Sequence, residues 1–207
     1  ALQPPESDIP PLELVSDVPE RAMVVFAHPD DGELGAGGAV AAWAHAGCEI
    51  AYVLCTDGRS GSNDRTAASD RIAPVRREEQ CAAAATAGVR HVEFLDHPDG
   101  GLEDDATFRG EIVRMIRRYR PHTVFCHDPY LTRRLQHRDH RMVGTVVLDA
   151  VYPYARDHLH FPEQIENEGL EPHKVRRVLM WGSEEPDVII DTGEAIETQI
   201  EALARHE

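Results

Sequence analysis

Two apolar runs joined by a segment of helical length constrain this chain more than any other feature. The runs cover residues 22–26 and 49–56, and both are short and bounded by polar residues, as buried parallel strands are. Residues 35–47 between them are rich in alanine and glycine and end at Gly47, so we expect a helix with a glycine C-cap. A helical crossover between two such strands makes the connection parallel and right-handed. The pattern therefore predicts a βαβ unit and an α/β fold.

The rest of the chain continues this alternation. We predict helices over residues 74–87, 104–119, 140–152 and 194–206, and strands over residues 89–95, 122–126, 175–181 and 188–190. Pro74 suits the first turn of its helix, and Asp104 is the expected N-cap of the next one. Residues 57–72 are predicted to form a polar loop at the edge of the sheet, and residues 154–174 to be irregular.

The length of 207 residues fits one domain, which we place at residues 21–207. Residues 1–20 are rich in proline and acidic side chains and show little periodicity, so we expect an extended arm. Such an arm could lie over the domain, reach a neighbouring subunit of a homo-oligomer, or form a surface tail. The sequence leaves these three alternatives open.

Charge and composition limit the classes of partner. A net charge of −16 argues against binding to nucleic acid or anionic lipid, because both rely on a basic patch. No apolar run approaches the length of a membrane span. The four cysteines are widely spaced without a Cys-x-x-Cys pair, and we find no signal peptide. These features favour a cytoplasmic protein with a small-molecule partner.

Two clusters of imidazole and carboxylate side chains are the candidate functional residues. His28, Asp30 and Asp31 follow the first predicted strand, and Pro29 prevents that strand from continuing. The carboxyl ends of strands are where ligands bind in open α/β sheets. The second cluster is His-Arg-Asp-His at residues 137–140, at the start of a predicted helix. Together the two clusters offer enough ligands for a metal site.

The residue types suit hydrolysis assisted by a metal ion. Zinc accepts imidazole nitrogen and carboxylate oxygen, and catalytic zinc sites use three protein ligands and keep one position for water. Two histidines and one aspartate meet this requirement, and the same ligands can hold ferrous iron. A carboxylate that is not a ligand can take the proton of the water, and another histidine can protonate a leaving nitrogen.

Each cluster also has a purely structural interpretation. Asp-Asp-Gly at residues 30–32 is a frequent turn, and Asp139 in the first turn of a helix can simply complement the helix dipole. His97 and His127, at the ends of other predicted strands, remain rival metal ligands. The glycine-rich stretch 35–38 superficially suggests a dinucleotide loop, but its spacing departs from Gly-x-Gly-x-x-Gly.

Four motifs in combination resemble the LmbE-like, or PIG-L, deacetylase family. They are Ala-His-Pro-Asp-Asp-Gly-Glu-Leu-Gly at residues 27–35, Val-Arg-Arg-Glu-Glu at 75–79, Asp-Gly at 99–100 and His-Arg-Asp-His at 137–140. The resemblance covers most of the chain, from residue 23 to residue 206. It implies a Rossmann-like, three-layer α/β/α fold with a mainly parallel sheet. It also implies a zinc-dependent N-deacetylase site for N-acetylglucosaminyl compounds or related amides.

The family pattern implies roles for individual residues of this chain. By this resemblance His28, Asp31 and His140 would bind zinc, and Asp30 would be the general base.

The same resemblance implies four further roles. His137 would stabilise the oxyanion or protonate the leaving amine, with Asp139 orienting its ring. Arg76 and Asp99 match positions associated with substrate binding or active-site organisation. The two rival histidines are not carried over as ligands.

Two departures from the family pattern bear on the substrate. Arg59 follows Thr-Asp-Gly where the family often has Glu, and Gln199 replaces a usual Lys. We therefore expect a metal-dependent hydrolase that removes acetyl from an N-acetylglucosamine-type sugar or conjugate. Cleavage of another amide, such as that of a thiol conjugate or an acyl chain, remains an alternative. A carbohydrate- or nucleotide-binding module without catalysis is a third.

Overall fold

The computed structural model describes residues 12–66 and 68–206. The strands are β1 Glu13–Leu14, β2 Arg21–Phe26, β3 Glu49–Thr56, β4 His91–His97, β5 Thr123–His127, β6 Arg177–Trp181 and β7 Val188–Ile189. The helices are α1 Asp31–His45, α2 Ser69–Thr86, α3 Ala106–Tyr119, α4 Arg138–Val151, α5 Pro162–Glu168 and α6 Ala195–Leu203. A 3₁₀ turn, Tyr154–Arg156, lies between α4 and α5.

Five parallel strands form the central sheet in the order β4-β3-β2-β5-β6. Strand β2 lies in the middle, and its residues are almost completely buried because helices cover both faces. Side chains alternate between the faces: Met23 and Val25 pack with α3 and α4, whereas Val24 and Phe26 pack with α1, α2 and α6. The expected Rossmann-like, three-layer α/β/α arrangement is thus confirmed.

The strand order reverses between β2 and β5. From β2 the chain proceeds outward through β3 and β4, and it then returns to β5 on the other side of β2. In open α/β sheets the crevice at such a reversal is the usual ligand-binding position. The segment after β2 and the segment after β5 both open into this crevice.

Several boundaries differ from those predicted. Helix α1 begins at Asp31 rather than residue 35, so the aspartate pair lies at its N-terminus. Helix α2 begins at Ser69, which puts Pro74 in the second turn, where one backbone hydrogen bond is lost. The cap of α3 is Asp105 and not Asp104, because the Asp105 carboxylate accepts from the Phe108 amide at 2.9 Å.

The stretch 154–174 is not irregular throughout, since it contains the 3₁₀ turn and α5. The buried Arg117 guanidinium organises this stretch by donating to main-chain carbonyl oxygens of Tyr154, Asp157, His160 and Phe161, at 2.8–3.2 Å. An arginine that binds carbonyl groups far away in the chain leaves no periodic signal in the sequence.

The expected N-terminal arm is described only in part. Its residues 1–11 lie outside the described residues, and Glu13–Leu14 pairs in parallel with Val188–Ile189. The division into an arm and a single domain at residues 21–207 stays a prediction. Among the described residues, no helix combines the length and the apolar character needed to cross a membrane.

Candidate metal centre and active site

The candidate site occupies the crevice between β2 and β5. His28, Pro29 and Asp30 connect β2 to α1, and Asp31 is the first residue of that helix. Helix α4 supplies the other cluster, beginning directly after His137. It packs close to β5 because residue 144 is glycine: a Cβ there would lie 2.5 Å from the carbonyl oxygen of His127. The two clusters thus meet although they are far apart in the chain.

Three side-chain atoms of these clusters lie at nearly equal distances from one another. His28 Nδ1 is 3.3 Å from Asp31 Oδ2 and 3.2 Å from His140 Nε2. The same imidazole atom of His140 is 3.2 Å from Asp31 Oδ2. Zinc binds nitrogen and oxygen at about 2.0–2.2 Å, so the ligand atoms of a tetrahedral site stand about 3.3–3.5 Å apart. The donor types and their spacing therefore fit a zinc ion.

Asp31 sits in an environment that favours its ionised form. Burial opposes the charged carboxylate, but contacts from His127, His140 and His28 outweigh it and hold the pKa of Asp31 well below its usual range. Its Oδ2 also accepts from the His28 backbone N–H at 2.8 Å, which fixes the carboxylate toward the two imidazoles. An ionised, oriented carboxylate is the form that binds a metal.

The second ring nitrogen of His28 faces two other carboxylates. His28 Nε2 lies 3.1 Å from Asp99 Oδ1 and 3.3 Å from Asp139 Oδ2. Burial disfavours the charged imidazole, yet Asp139, Asp31 and Asp99 together raise the pKa of His28 to about 10. Metal-binding histidines are commonly oriented by a carboxylate on the ring nitrogen that does not bind the metal. Here the carboxylates hold a proton on Nε2 and leave Nδ1 free to bind an ion.

The Asp139 carboxylate therefore contacts a different histidine from the one predicted. Its carboxylate is fully buried and accepts from the amides of Gly100 at 2.7 Å and Leu102 at 3.3 Å. These contacts orient it toward His28. Only its main-chain N–H contacts His137, donating to Nδ1 at 3.2 Å. The sequence could not decide between the two rings, which lie edge to face with centroids 4.5 Å apart.

Asp30 directly precedes Asp31 in the chain and has a different environment. Its backbone has φ 95°, a left-handed conformation that is costly for a residue other than glycine. Burial, together with the neighbouring charge of Asp31, raises the pKa of Asp30, and Arg76 and His206 oppose that rise. Its side chain is 35% exposed, so water can reach it. A partly exposed carboxylate with a raised pKa suits general-base chemistry.

Arg76 and Asp99 are both engaged within the protein. Arg76 donates to the carbonyl oxygen of Pro29 and, at 3.0 Å, to Asp30 Oδ2. Asp99 accepts from the Ser60 amide at 3.1 Å besides contacting His28. Their side chains are 14% and 8% exposed, which leaves little surface for a sugar.

The two rival histidines, His97 and His127, occupy different positions relative to the candidate site. His97 contacts Glu111 at 2.6 Å. His127 reaches the site: its Nε2 is 3.4 Å from Asp31 Oδ2, and its ring stacks on that of His140 at 4.0 Å. Asp31, His127 and His140 could therefore also hold an ion. When the proton of His127 is on Nδ1, the same Nε2 accepts from the Ala27 amide at 3.3 Å instead of donating to Asp31, and its lone pair is then occupied.

A cavity of about 440 Å³ lies at the mouth of the site. Polar residues of both clusters line it, including Asp31, His137 and His140. Apolar side chains also line it, namely those of Leu34, Leu131, Leu135 and Trp181. A pocket with an apolar wall and a few converging polar groups is typical of small-molecule sites.

Comparisons with known proteins identify the family of this chain. The family model PIG-L, GlcNAc-PI de-N-acetylase, matches residues 23–151. Diacetylchitobiose deacetylase of Thermococcus kodakarensis is 30% identical over 188 residues, which are 91% of this chain and 69% of that protein. Mycothiol S-conjugate amidase of Streptomyces coelicolor is 30% identical over 177 residues, which are 75% of this chain and 59% of the amidase.

A solved structure is similar over nearly the whole chain. It is N,N'-diacetylchitobiose deacetylase from Pyrococcus horikoshii in complex with an inhibitor. The TM-score is 0.85 with 26% identity, and the similar region covers 91% of this chain and 70% of the other. Together with the family match over more than half of the chain, this similarity fixes the classification. The chain belongs to the PIG-L, or GlcNAc-PI de-N-acetylase, family.

Proposed function

We propose that this chain is a metal-dependent amide hydrolase that removes the acetyl group from an N-acetylglucosamine-type sugar or conjugate. One observation carries the proposal: a carboxylate and two imidazoles present three ligand atoms within 3.3 Å of one another, and Asp30, the residue before Asp31, carries a partly exposed carboxylate held by Arg76. That combination supplies metal ligands and a separate base. Membership of a deacetylase family and the two deacetylase relatives support it.

His28, Asp31 and His140 would hold the metal, which we propose to be zinc, with ferrous iron as the alternative ion. The spacing of their donor atoms supports this set. When bound, such an ion polarises an amide carbonyl and lowers the pKa of a bound water. Asp99 and Asp139 would act through His28 by holding its other nitrogen.

Asp30 would accept a proton from the attacking water. Arg76 holds Oδ2 of this carboxylate, so its orientation is set before substrate arrives. The proton is then available to the amine that leaves when the C–N bond breaks, which gives acetate and a free amine as products. The contacts of Arg76 therefore favour active-site organisation over direct sugar binding.

His137 would donate a hydrogen bond from Nε2. Its Nδ1 accepts from the Asp139 amide, so Nε2 is the nitrogen that carries a proton in either charge state. The residue is exposed at the cavity mouth, where substrate has access. The oxygen that gains charge during attack and the leaving nitrogen are the two groups this donor could serve.

The substrate is proposed to be a small N-acetylated sugar, because deacetylases of such compounds are among the relatives. An amide of a thiol conjugate is the second candidate, supported by the similarity to an amidase named for such a substrate. We also retain a cytoplasmic location, which agrees with the four free cysteines. A homo-oligomer remains an open alternative, and the charge of −16 disfavours nucleic acid.

A substrate panel tests the proposal. The zinc-loaded protein is incubated with N-acetylglucosamine, diacetylchitobiose, an inositol-linked N-acetylglucosamine and a thiol-conjugate amide, and released acetate and amine are measured. Acetate from at least one sugar, lost on chelation and restored by zinc, is the expected result. Amine release from the thiol conjugate alone would select the second candidate. No release from any compound by fully loaded protein would refute the hydrolase.

A further inference from the structure

His206 lies just beyond the end of α6 and is packed between two carboxyl groups. Its side chain is only 5% exposed, and Nε2 is 3.5 Å from Glu33 Oε2 while Nδ1 is 3.9 Å from Glu79 Oε2. Both ring nitrogens are buried and make no hydrogen bond of normal geometry among the described residues. Glu33 is fully buried in the first turn of α1. Burying polar groups without hydrogen bonds costs free energy, so we expect this imidazole to have a function.

One chain of contacts leads from His206 to the backbone of Asp30. Gln80 donates from Nε2 to the carboxyl group of Glu33, at 3.0 and 3.3 Å. The other amide atom of Gln80, Oε1, accepts from the Asp30 backbone N–H at 3.2 Å. Gln80 is completely buried, so these are the partners that satisfy its amide.

A second chain leads from His206 to the side chain of Asp30. Arg76 donates from NH1 to Glu79 Oε2 at 3.2 Å and from NH2 to Asp30 Oδ2 at 3.0 Å. Arg76 and Gln80 are four residues apart on α2 and thus share one face of that helix. The two series of contacts begin at the two ring nitrogens of His206, and both end at Asp30.

Asp30 needs such support because its backbone is strained. A φ of 95° is an unfavourable conformation for aspartate, and such a residue persists only where its surroundings hold it. Gln80 holds its N–H and Arg76 holds its carboxylate. Both side chains adjoin the carboxyl groups around His206, whereas the carbonyl oxygen of Asp30 accepts from the Leu34 amide at 3.0 Å in the first turn of α1.

We propose that His206 is a positioning residue for Asp30, acting through Glu33–Gln80 and through Glu79–Arg76. The inference rests on the proposed function, in which Asp30 accepts the proton of the attacking water. A buried carboxyl group that loses a neighbouring donor turns toward the donors that remain. For Glu33 the remaining donors include Gln80, and for Glu79 they include Arg76; these two side chains are the groups that hold Asp30. Removal of the imidazole therefore displaces the Asp30 carboxylate without touching the metal ligands.

The test compares three variants of the full, zinc-loaded chain. His206→Leu removes both ring nitrogens and replaces the imidazole with an apolar side chain of similar bulk. His206→Gln keeps an amide donor close to the position of Nε2, and His206→Asn keeps one close to Nδ1. His173→Leu is the matched control, because His173 is also buried but donates to the Pro121 carbonyl at the amino end of β5, away from the site.

We expect His206→Leu to lower kcat about 10- to 100-fold, as displacement of a catalytic group by a distant substitution does, with KM and zinc content within about twofold of wild type. His206→Gln and His206→Asn should fall between His206→Leu and wild type, and His173→Leu should keep the wild-type kcat. An unchanged kcat in His206→Leu, or a loss confined to KM or to zinc content, overturns the inference. If His206→Leu does not fold, the two amide variants decide. Unchanged kcat in both of them overturns the inference, whereas reduced kcat at full zinc content supports it.

A double variant separates positioning from a general structural effect. In an Asp30→Asn background, His206→Leu should cause less than about a threefold further loss of kcat, because the group that it positions is already inactive. A further loss as large as in the wild-type background overturns the inference. If Asp30→Asn itself retains kcat, the proposed base and the inference both fail. If Asp30→Asn loses kcat while His206→Leu does not, the inference fails alone.

Discussion

At the scale of single residues, the adjacent aspartates are chemically identical but occupy different environments. Asp31 is fixed by three imidazoles and its pKa lies well below the usual range, whereas burial raises the pKa of Asp30, which stays within reach of water. We therefore expect Asp30→Asn to lower kcat about 10²- to 10⁴-fold with zinc still bound. Asp31→Ala should instead lose the metal, because it removes one of the three proposed ligands.

Zinc content and kcat measured on the same preparations check this assignment. His140→Ala is the ligand control and should follow Asp31→Ala, whereas His137→Ala should keep its zinc and resemble Asp30→Asn. Zinc loss in Asp30→Asn together with full zinc content in Asp31→Ala would show that Asp30 is the metal ligand and Asp31 the general base.

His127 poses a second question at this scale, because it and His28 both approach Asp31 and His140. The His127 lone pair accepts from the Ala27 amide, while His28 has the carboxylate-backed geometry of a ligand. We expect His127→Gln to retain zinc and His28→Gln to lose it. The glutamine oxygen can still accept from the Ala27 amide, so the fold should be spared. Equal zinc loss in both variants would make His127 a ligand as well.

At the scale of elements, the segment from the 3₁₀ turn to α5 depends on Arg117. This side chain is 1% exposed and lies near the C-terminus of α3, at the end of the molecule away from the metal cluster. Arg117→Met would leave several buried carbonyl oxygens without a donor, so we expect a loss of about 2–4 kcal/mol in the free energy of unfolding.

Urea unfolding measures this loss, and Arg118→Met is the matched control. Arg118 is exposed and, within the described part of the chain, its ion pairs are long ones with Glu93 and Glu168, so its replacement should change stability by less than about 0.5 kcal/mol. Both variants should keep kcat per bound zinc. Equal stabilities of the two variants would show that Arg117 does not organise the segment.

The elements themselves were largely predictable, and the contacts between them were not. Apolar runs such as residues 22–26 and 49–56 give strands because parallel strands are buried on both faces. The start of α1 was missed because Asp30 and Asp31 read as a turn before an alanine-rich helix. The partner of Asp139 was missed because orientation depends on the amides of Gly100 and Leu102, which are far away in the chain.

In the candidate site, too, the motifs could be predicted from the sequence, whereas the contacts between distant residues could not. His-Pro-Asp-Asp and His-Arg-Asp-His were visible because several chemically suited residues are close in sequence. Glu33, Gln80 and His206 were given no role, since each is a single polar residue in an otherwise ordinary helix or terminal segment. The spacing of Arg76, Glu79 and Gln80 on one face of α2 was the available signal.

At the scale of the whole molecule, the site concentrates negative charge within an already acidic protein. Asp31, Asp99 and Asp139 surround His28, and the chain carries a net charge of −16. Uncompensated carboxylates in a buried crevice destabilise the folded state through mutual repulsion. A divalent cation at this position would relieve that repulsion and would also bridge the segments after β2 and after β5, which meet only in the folded chain.

Zinc should therefore raise the melting temperature. An ion that binds only the folded chain adds about 2.7 kcal/mol when its free concentration is a hundred times Kd. For a chain of this length each kcal/mol corresponds to about 2–4 °C, so Tm should rise by about 5–11 °C and fall again on chelation. Asp31→Ala should show no rise, whereas Arg118→Met, far from the crevice, should show the full rise. An equal rise in Asp31→Ala would place the stabilising ion elsewhere on the protein.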